Sequence, residues 1–214
     1  NKIGGLVTLN NIKQKVTIPS NEAIMEAYNT LRANVQFCTQ EKGIKTIAIT
    51  SYGPGEGKST TSLNLATSFA QVGKNVLYVD ADLRKPLLFK ELNNYDFNGL
   101  SNYLLEQIAL EDAVRSTNIN GLYSINCGIK PLNPSELINS NRLADFIQNV
   151  RQEYDLVIID TPPLGSVIDS AVISALTDAT IIVIASDKVR GCNARMMKVQ
   201  LEKANANIIG VVLN

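Results

Sequence analysis

One run, ITSYGPGEGKSTTS from Ile49 to Ser62, constrains the fold more than any other part of the chain. The β-branched residues of Lys45–Ser51 favour a short strand. Gly53, Pro54, Gly55 and Gly57 interrupt it, and Lys58-Ser59-Thr60 opens a helix that Gly73 ends. A strand that turns through glycines into a helix N-terminus is built to cradle an anion. Glycine lets backbone amides approach closely, and the helix adds its dipole and its unpaired N–H groups. On this pattern Gly53, Pro54, Gly55, Glu56, Gly57, Lys58, Ser59 and Thr60 surround phosphates. Lys58 reaches the β- and γ-phosphates, and the Ser59 hydroxyl ligates Mg²⁺. The pattern G-x4-G-K-[ST] asks for glycine at position 52 and meets Tyr52.

Short apolar runs then alternate with helical patterns to the end of the chain. Asn75–Asp80, Leu122–Asn126, Asp155–Asp160, Ala179–Ala185 and Ile208–Leu213 read as strands. Glu22–Cys38 reads as a helix, entered at Ser20 or Asn21, with Ile24, Tyr28, Leu31 and Val35 on one face. Further helices are expected over Gly99–Leu105, Ala109–Val114, from Asn133 to about Val150, over Ile168–Leu176 and over Cys192–Ala204. Buried strands alternating with helices predict a three-layer α/β fold, a mostly parallel sheet flanked by helices, with ligands outside the strands' carboxyl ends. Residues 1–20 are expected to form an N-terminal arm, and 21–214 a single domain.

Two acidic elements share the strand-end placement of the glycine-rich turn. In VDADLRKP, Asp80 closes a strand, Asp82 follows and Arg84 stands beyond. In LVIIDTPP, four apolar residues deliver Asp160, and the prolines stop the strand. Alone, D-x-D followed by Arg is more often a solvated turn than a site. Beside a phosphate loop the balance reverses, because Mg²⁺ takes hard oxygen ligands and keeps several waters.

Composition narrows the chemistry. The chain has no histidine, which excludes a Ser-His-Asp triad, a Cys-His pair and imidazole as general base. Lys plus Arg equals Asp plus Glu at 20 each, so no global charge recommends nucleic acid as a partner. Cys38, Cys127 and Cys192 are odd in number and widely spaced, which suits idle thiols in a reducing compartment. Apolar stretches such as Ile181–Ala185 fall far short of the ~20 residues a membrane helix needs. A cytoplasmic location is the expectation.

Together these motifs resemble the bacterial tyrosine kinases of capsule and exopolysaccharide synthesis. The family's phosphate loop S-x-x-P-x-E-G-K-[ST] is matched by Ser51, Pro54, Glu56, Gly57, Lys58 and Ser59. Its D-x-D-x-R is matched by Asp80, Asp82 and Arg84, and its D-x-P by Asp160 and Pro162. Glu26–Phe37 and Lys130–Ile138 match as well, so the resemblance runs from about Ser20 onward. It implies the P-loop fold branch of partitioning ATPases and the nitrogenase iron protein. The implied activity is an ATP- and Mg²⁺-dependent protein-tyrosine kinase, autophosphorylating between subunits. Ser59, Asp82 and Asp160 would organise the metal, and Lys58, Asp80, Asp82 and Arg84 the catalysis. Asp80 is the first choice of base, with an exchange of roles with Asp82 left open. Arg84 either stabilises developing charge or pairs with an acid. Asn214 either meets the adenine or serves as a cap or turn residue.

The implied partners are a membrane-anchored activator or polysaccharide co-polymerase, which would recruit the chain to the inner face of the membrane, and a cognate tyrosine phosphatase. A homo-oligomer would form through the early helix. There the family's E-x-x-R-x-x-R is Glu26, Asn29, Arg32, and asparagine cannot make arginine's bidentate charged contact. Family chains end in a tyrosine cluster, whereas the seven tyrosines here are scattered. Two other functions compete. A dimerisation-switch ATPase would put a lysine early in the loop, where Gly53 stands. A nucleotide-binding regulatory subunit with little turnover would have no need of intact Lys58, Ser59 and three acids.

Overall fold

Seven strands form the sheet in the order β3-β4-β2-β5-β1-β6-β7. The computed structural model describes residues 14–40, 43–84, 98–186 and 188–214. In it β1 spans Thr46–Ser51, β2 Val76–Asp80, β3 Arg115–Ser116, β4 Leu122–Ile125, β5 Leu156–Asp160, β6 Ala179–Ile184 and β7 Ile208–Leu213. Every pairing is parallel except the short β3–β4 ladder. β1, β2 and β5 are buried at every residue, as strands covered on both faces must be.

The helices are α1 (Glu22–Gln40), α2 (Lys58–Gln71), α3 (Leu100–Leu104), α4 (Leu110–Ala113), α5 (Pro134–Ile138), α6 (Asn141–Glu153), α7 (Asp169–Leu176) and α8 (Gly191–Lys203). One face of the sheet packs against Val35 of α1 and Leu65, Ala66 and Phe69 of α2. The other packs against Phe146, Ile147 and Val150 of α6 and Ile173 of α7. Met197 and Leu201 of α8 close a smaller cluster with Leu164, Ala171 and Ile182. The architecture is the expected three-layer α/β fold. Among the described residues no helix is long and apolar enough to cross a membrane.

Local details depart from expectation for identifiable reasons. The helix expected from Asn133 to about Val150 is two helices, because the Ser140 hydroxyl accepts the Leu143 amide at 3.3 Å and starts α6 afresh. β3 has two residues, too short for any periodicity to announce. Of the expected arm, residues 1–13 lie outside the described residues, but its far end is docked. Gln14 donates its amide to Ser116, and Val16 is buried in the core. Asn21 is the cap of α1, accepting the Ala23 amide at 2.9 Å. The apolar face of α1 is only partly used: Val35 is buried, whereas Ile24 is 44% exposed.

Strand order assembles the site. β5 lies between β1 and β2, so Ile49, Asp160 and Asp80 stand side by side on three adjacent strands. The two acidic elements therefore flank each other, and Asp160 is the one next to the phosphate loop.

Candidate active site

The carboxyl ends of β1, β5 and β2 surround a cavity of ≈ 260 Å³ lined by Gly53, Gly57, Lys58, Ser59, Asp82 and Arg84 among others. Gly57, the N-cap of α2, has φ 85°, and no side chain caps the helix. The first intrahelical bond runs from the Thr61 amide to the Gly57 carbonyl at 2.8 Å. The amides of Lys58, Ser59 and Thr60 thus have no partner inside the helix, an arrangement that fits an anion. A Cβ at Gly57 would lie 2.0 Å from Asn214 Nδ2, so any other residue would strain the backbone and displace the Asn214 amide. Asn214 donates that same nitrogen to the Glu56 carbonyl at 3.0 Å. Its role in this structure is therefore to brace the loop. The Glu56 carboxylate folds back on the loop, its Oε1 accepting the Gly53 amide at 2.5 Å. Tyr52, standing where the pattern asks for glycine, accepts the Gly165 amide at 2.9 Å and packs its ring on Gly165.

Lys58 Nζ donates to Asp160 Oδ1 at 2.7 Å and to Ser59 Oγ at 3.1 Å. Asp160 also accepts from Ser62 Oγ and Tyr78 OH, each at 3.3 Å. It is buried, and it stands behind the cavity rather than on its wall. Asp80 is likewise buried and off the wall, its Oδ1 accepting the Asp82 amide at 3.0 Å. Burial, and then the charge of Asp160, push the Asp80 carboxyl up to about 8. Burial and the same two acids hold the Tyr78 phenol well above its ordinary value. Burial raises the Cys127 thiol too, in keeping with an idle cysteine.

Arg84 settles on an acid. Its Nε donates to Asp169 Oδ2 at 2.8 Å and its Nη2 to Asp169 Oδ1 at 3.2 Å, while Nη2 also reaches Ser135 Oγ at 2.7 Å. The Asp169 hydrogen bonds raise the guanidinium's pKa.

Of the residues expected to form the site, the structure brings Gly53 to Thr60, Asp80, Asp82, Arg84 and Asp160 together. Glu26, Asn29 and Arg32 lie on α1, and none of them lines the cavity. Sequence reasoning missed Asp169, Ser135, Ser62 and Tyr78. Asp169 carried a faint signal, an acid in the first turn of a helix, where the dipole favours it. No spacing announces the others.

Among the described residues no three acids or thiols converge as a metal cage. Ser59 and Asp82, both lining the cavity, carry hard oxygen donors in a hydroxyl and a carboxylate. They suit a Mg²⁺ ion that takes most of its ligands from phosphates and water.

A family model described as an AAA domain matches residues 44–207. The tyrosine-protein kinase YwqD of Bacillus subtilis is 38% identical over 189 residues, 88% of this chain and 80% of that protein. CpsD of Streptococcus pneumoniae, also a tyrosine-protein kinase, is 37% identical over 190 residues, 88% of this chain and 83% of its own. Among solved structures, the chimerical protein CapA2B2 superposes with TM-score 0.85 and 37% identity, covering 92% of this chain and 86% of that one. The septum site-determining protein MinD of Pyrococcus horikoshii, solved with Mg-ADP, gives TM-score 0.66 and 25% identity over 79% of this chain and 70% of its own.

Proposed function

The chain belongs to the bacterial tyrosine-protein kinases, and on that footing we propose that it transfers the γ-phosphoryl group of ATP to tyrosines of neighbouring subunits in the control of capsular or extracellular polysaccharide export. The observation that carries the mechanism is the cavity bounded by the open amides of the phosphate loop on one side and by Asp82 and Arg84 on the other. Phosphoryl transfer needs positioning and neutralised charge more than covalent help from the protein, so a site without histidine suffices.

Each residue then has a task. The Gly53–Gly57 segment and the first turn of α2 bind the phosphates through backbone N–H groups. Lys58, tied to Asp160, turns its ammonium to the β- and γ-phosphates when they arrive. Ser59, with Asp160 behind it, would hold Mg²⁺, which supplies charge neutralisation on the phosphate oxygens; of Asp80 and Asp82, the one that does not serve as base would complete the metal's shell. The acceptor tyrosine enters from the Asp82 side, and a carboxylate there takes its proton. The cavity favours Asp82 over Asp80 for that step, because Asp82 lines it and Asp80 does not. Arg84 offers charge to the transferring group. A membrane-anchored activator, a cognate phosphatase and an oligomer built through Glu26, Asn29 and Arg32 complete the proposal.

The test is label transfer from γ-labelled ATP with Mg²⁺ and the activator's cytoplasmic segment, followed by phosphoamino-acid analysis. Label on tyrosine that disappears in Lys58→Met and Asp82→Asn supports the kinase. Phosphate released only to water points instead to a dimerisation switch.

A further inference from the structure

We infer that Asp169 and Ser135 are positioning residues for the reaction, acting through Arg84. This rests on the kinase reading. Arginine carries five N–H donors in a planar fork. Asp169 takes the Nε and Nη2 edge as a bidentate pair, and Ser135 takes Nη2 as well. Nη1, with its two donors, makes no hydrogen bond to any described residue, and Arg84 lines the phosphate cavity. The clamp therefore fixes the plane of the guanidinium at the edge of the phosphate cavity.

The burial pattern separates this pair from an ordinary surface ion pair. The Asp169 side chain is 2% exposed and the Arg84 side chain 36%. An exposed pair contributes little. Here the acid is anchored at the first turn of α7 and the cation sits at the cavity edge. An untethered arginine would have to give up rotamer entropy each time it met a ligand, and the clamp removes most of that loss beforehand. The next residue, Ser170, donates its hydroxyl to the Pro162 carbonyl at 2.5 Å, two residues beyond Asp160. Ser135 brings in α5 at the same point. The N-terminus of α7 thus ties the D-x-D-x-R turn, the D-T-P-P turn and α5 into one frame around the acceptor side of the cavity.

A double-mutant cycle tests the assignment. Wild type, Arg84→Ala, Asp169→Ala and the double variant are compared as full chains, with the activator's cytoplasmic segment present, in phosphorylation of a Glu/Tyr copolymer with Mg·ATP, alongside ADP binding and thermal unfolding. Each single variant should lose about a hundredfold or more in kcat, the range seen when a charge-stabilising donor is removed. ADP affinity should stay within about threefold, since the phosphate loop is intact. The double variant should be no slower than Arg84→Ala alone. Ser135→Ala should fall between wild type and Asp169→Ala. If Asp169→Ala fails to fold, the isosteric Asp169→Asn goes through the same cycle. Additive losses, or full kcat without Asp169, would overturn the assignment. A wild type that labels no tyrosine refutes the kinase reading, and the cycle is then read on phosphate release from ATP under the same criteria. A wild type that turns over no ATP refutes both.

Discussion

Gly57→Ala, combined with Asn214→Ala, interrogates the phosphate loop without any ligand. Gly57 sits at φ 85°, where an L side chain is strained by about 1–2 kcal/mol. Its new Cβ would also lie 2.0 Å from Asn214 Nδ2 and 2.9 Å from Asn214 Cγ, so the amide must swing away from the Glu56 carbonyl. That forfeits one hydrogen bond, a further ~0.5–1.5 kcal/mol. Gly57→Ala should therefore destabilise by about 2–3 kcal/mol, a fall in Tm of roughly 5–10 °C for a domain this size. Asn214→Ala removes only the hydrogen bond, about 1 kcal/mol. In the double variant the obstruction is gone and the bond was already lost, so Asn214→Ala should add almost nothing to Gly57→Ala. Urea and thermal unfolding of the four proteins, nucleotide-free, measure the cycle. A Tm for Gly57→Ala equal to wild type, or an Asn214→Ala effect of the same size in both backgrounds, would refute the close approach of the two residues.

Lys58→Met leaves Asp160 buried without its cation, and should destabilise the nucleotide-free protein by about 3–5 kcal/mol while abolishing nucleotide binding; Lys58→Met with Asp160→Asn should recover much of the stability and none of the binding, read by urea midpoint and ADP titration. Because the folded pKa of Asp80 is raised to about 8 against an ordinary 3.8, its proton stabilises the fold fully below the ordinary value, and that contribution drains away as pH rises through about 8. Wild type should thus lose stability between pH 5 and pH 8.5 relative to Asp80→Asn, and parallel urea midpoints across that range would count against the burial of this carboxyl. Asp178 behaves oppositely: burial would raise it, but the Lys45 and Thr46 amides and Arg151 outweigh burial and hold it below its ordinary value. Its contribution is present above the ordinary carboxylate pKa and is lost as pH falls through the lower folded one. Asp178→Asn should lower stability by about 1–3 kcal/mol at pH 7 and by progressively less toward pH 3, as followed by thermal unfolding.

Legibility in the sequence tracked how far each feature depends on its neighbours in the chain. The glycine-rich loop and the strand ends at Asp80 and Asp160 are local and read directly, while the cap of α1 reads as Ser20 or Asn21 and the structure decides for Asn21. What could not be read is pairing across distance. Nothing near Asp80 says that β5 lies between β2 and β1, and so that Asp82 rather than Asp80 meets the cavity. Asp169 is 85 residues from Arg84, and its meaning exists only once α7 is packed on the sheet. The break at Ser140 was missed for another reason. A serine inside an apolar-periodic run looks like a tolerated helix residue until its hydroxyl is seen to take the Leu143 amide.

The insertion of β5 between β1 and β2 also dictates when the site can come into being. As the chain emerges from the ribosome, Thr46–Ser51 and Val76–Asp80 appear early, yet neither has its β5 neighbour until Leu156–Asp160 has been made. At about 5–20 residues per second that interval lasts several seconds. Throughout it, the edges of two strands that the finished fold buries completely stand open to wrong pairings and to chaperones. A nascent or prematurely ended chain lacking β5 has its Lys58 but not Asp160, and it lacks the strand that sets β2 and Asp82 beside the phosphate loop of β1. Phosphotransfer is therefore withheld from incomplete chains by topology alone.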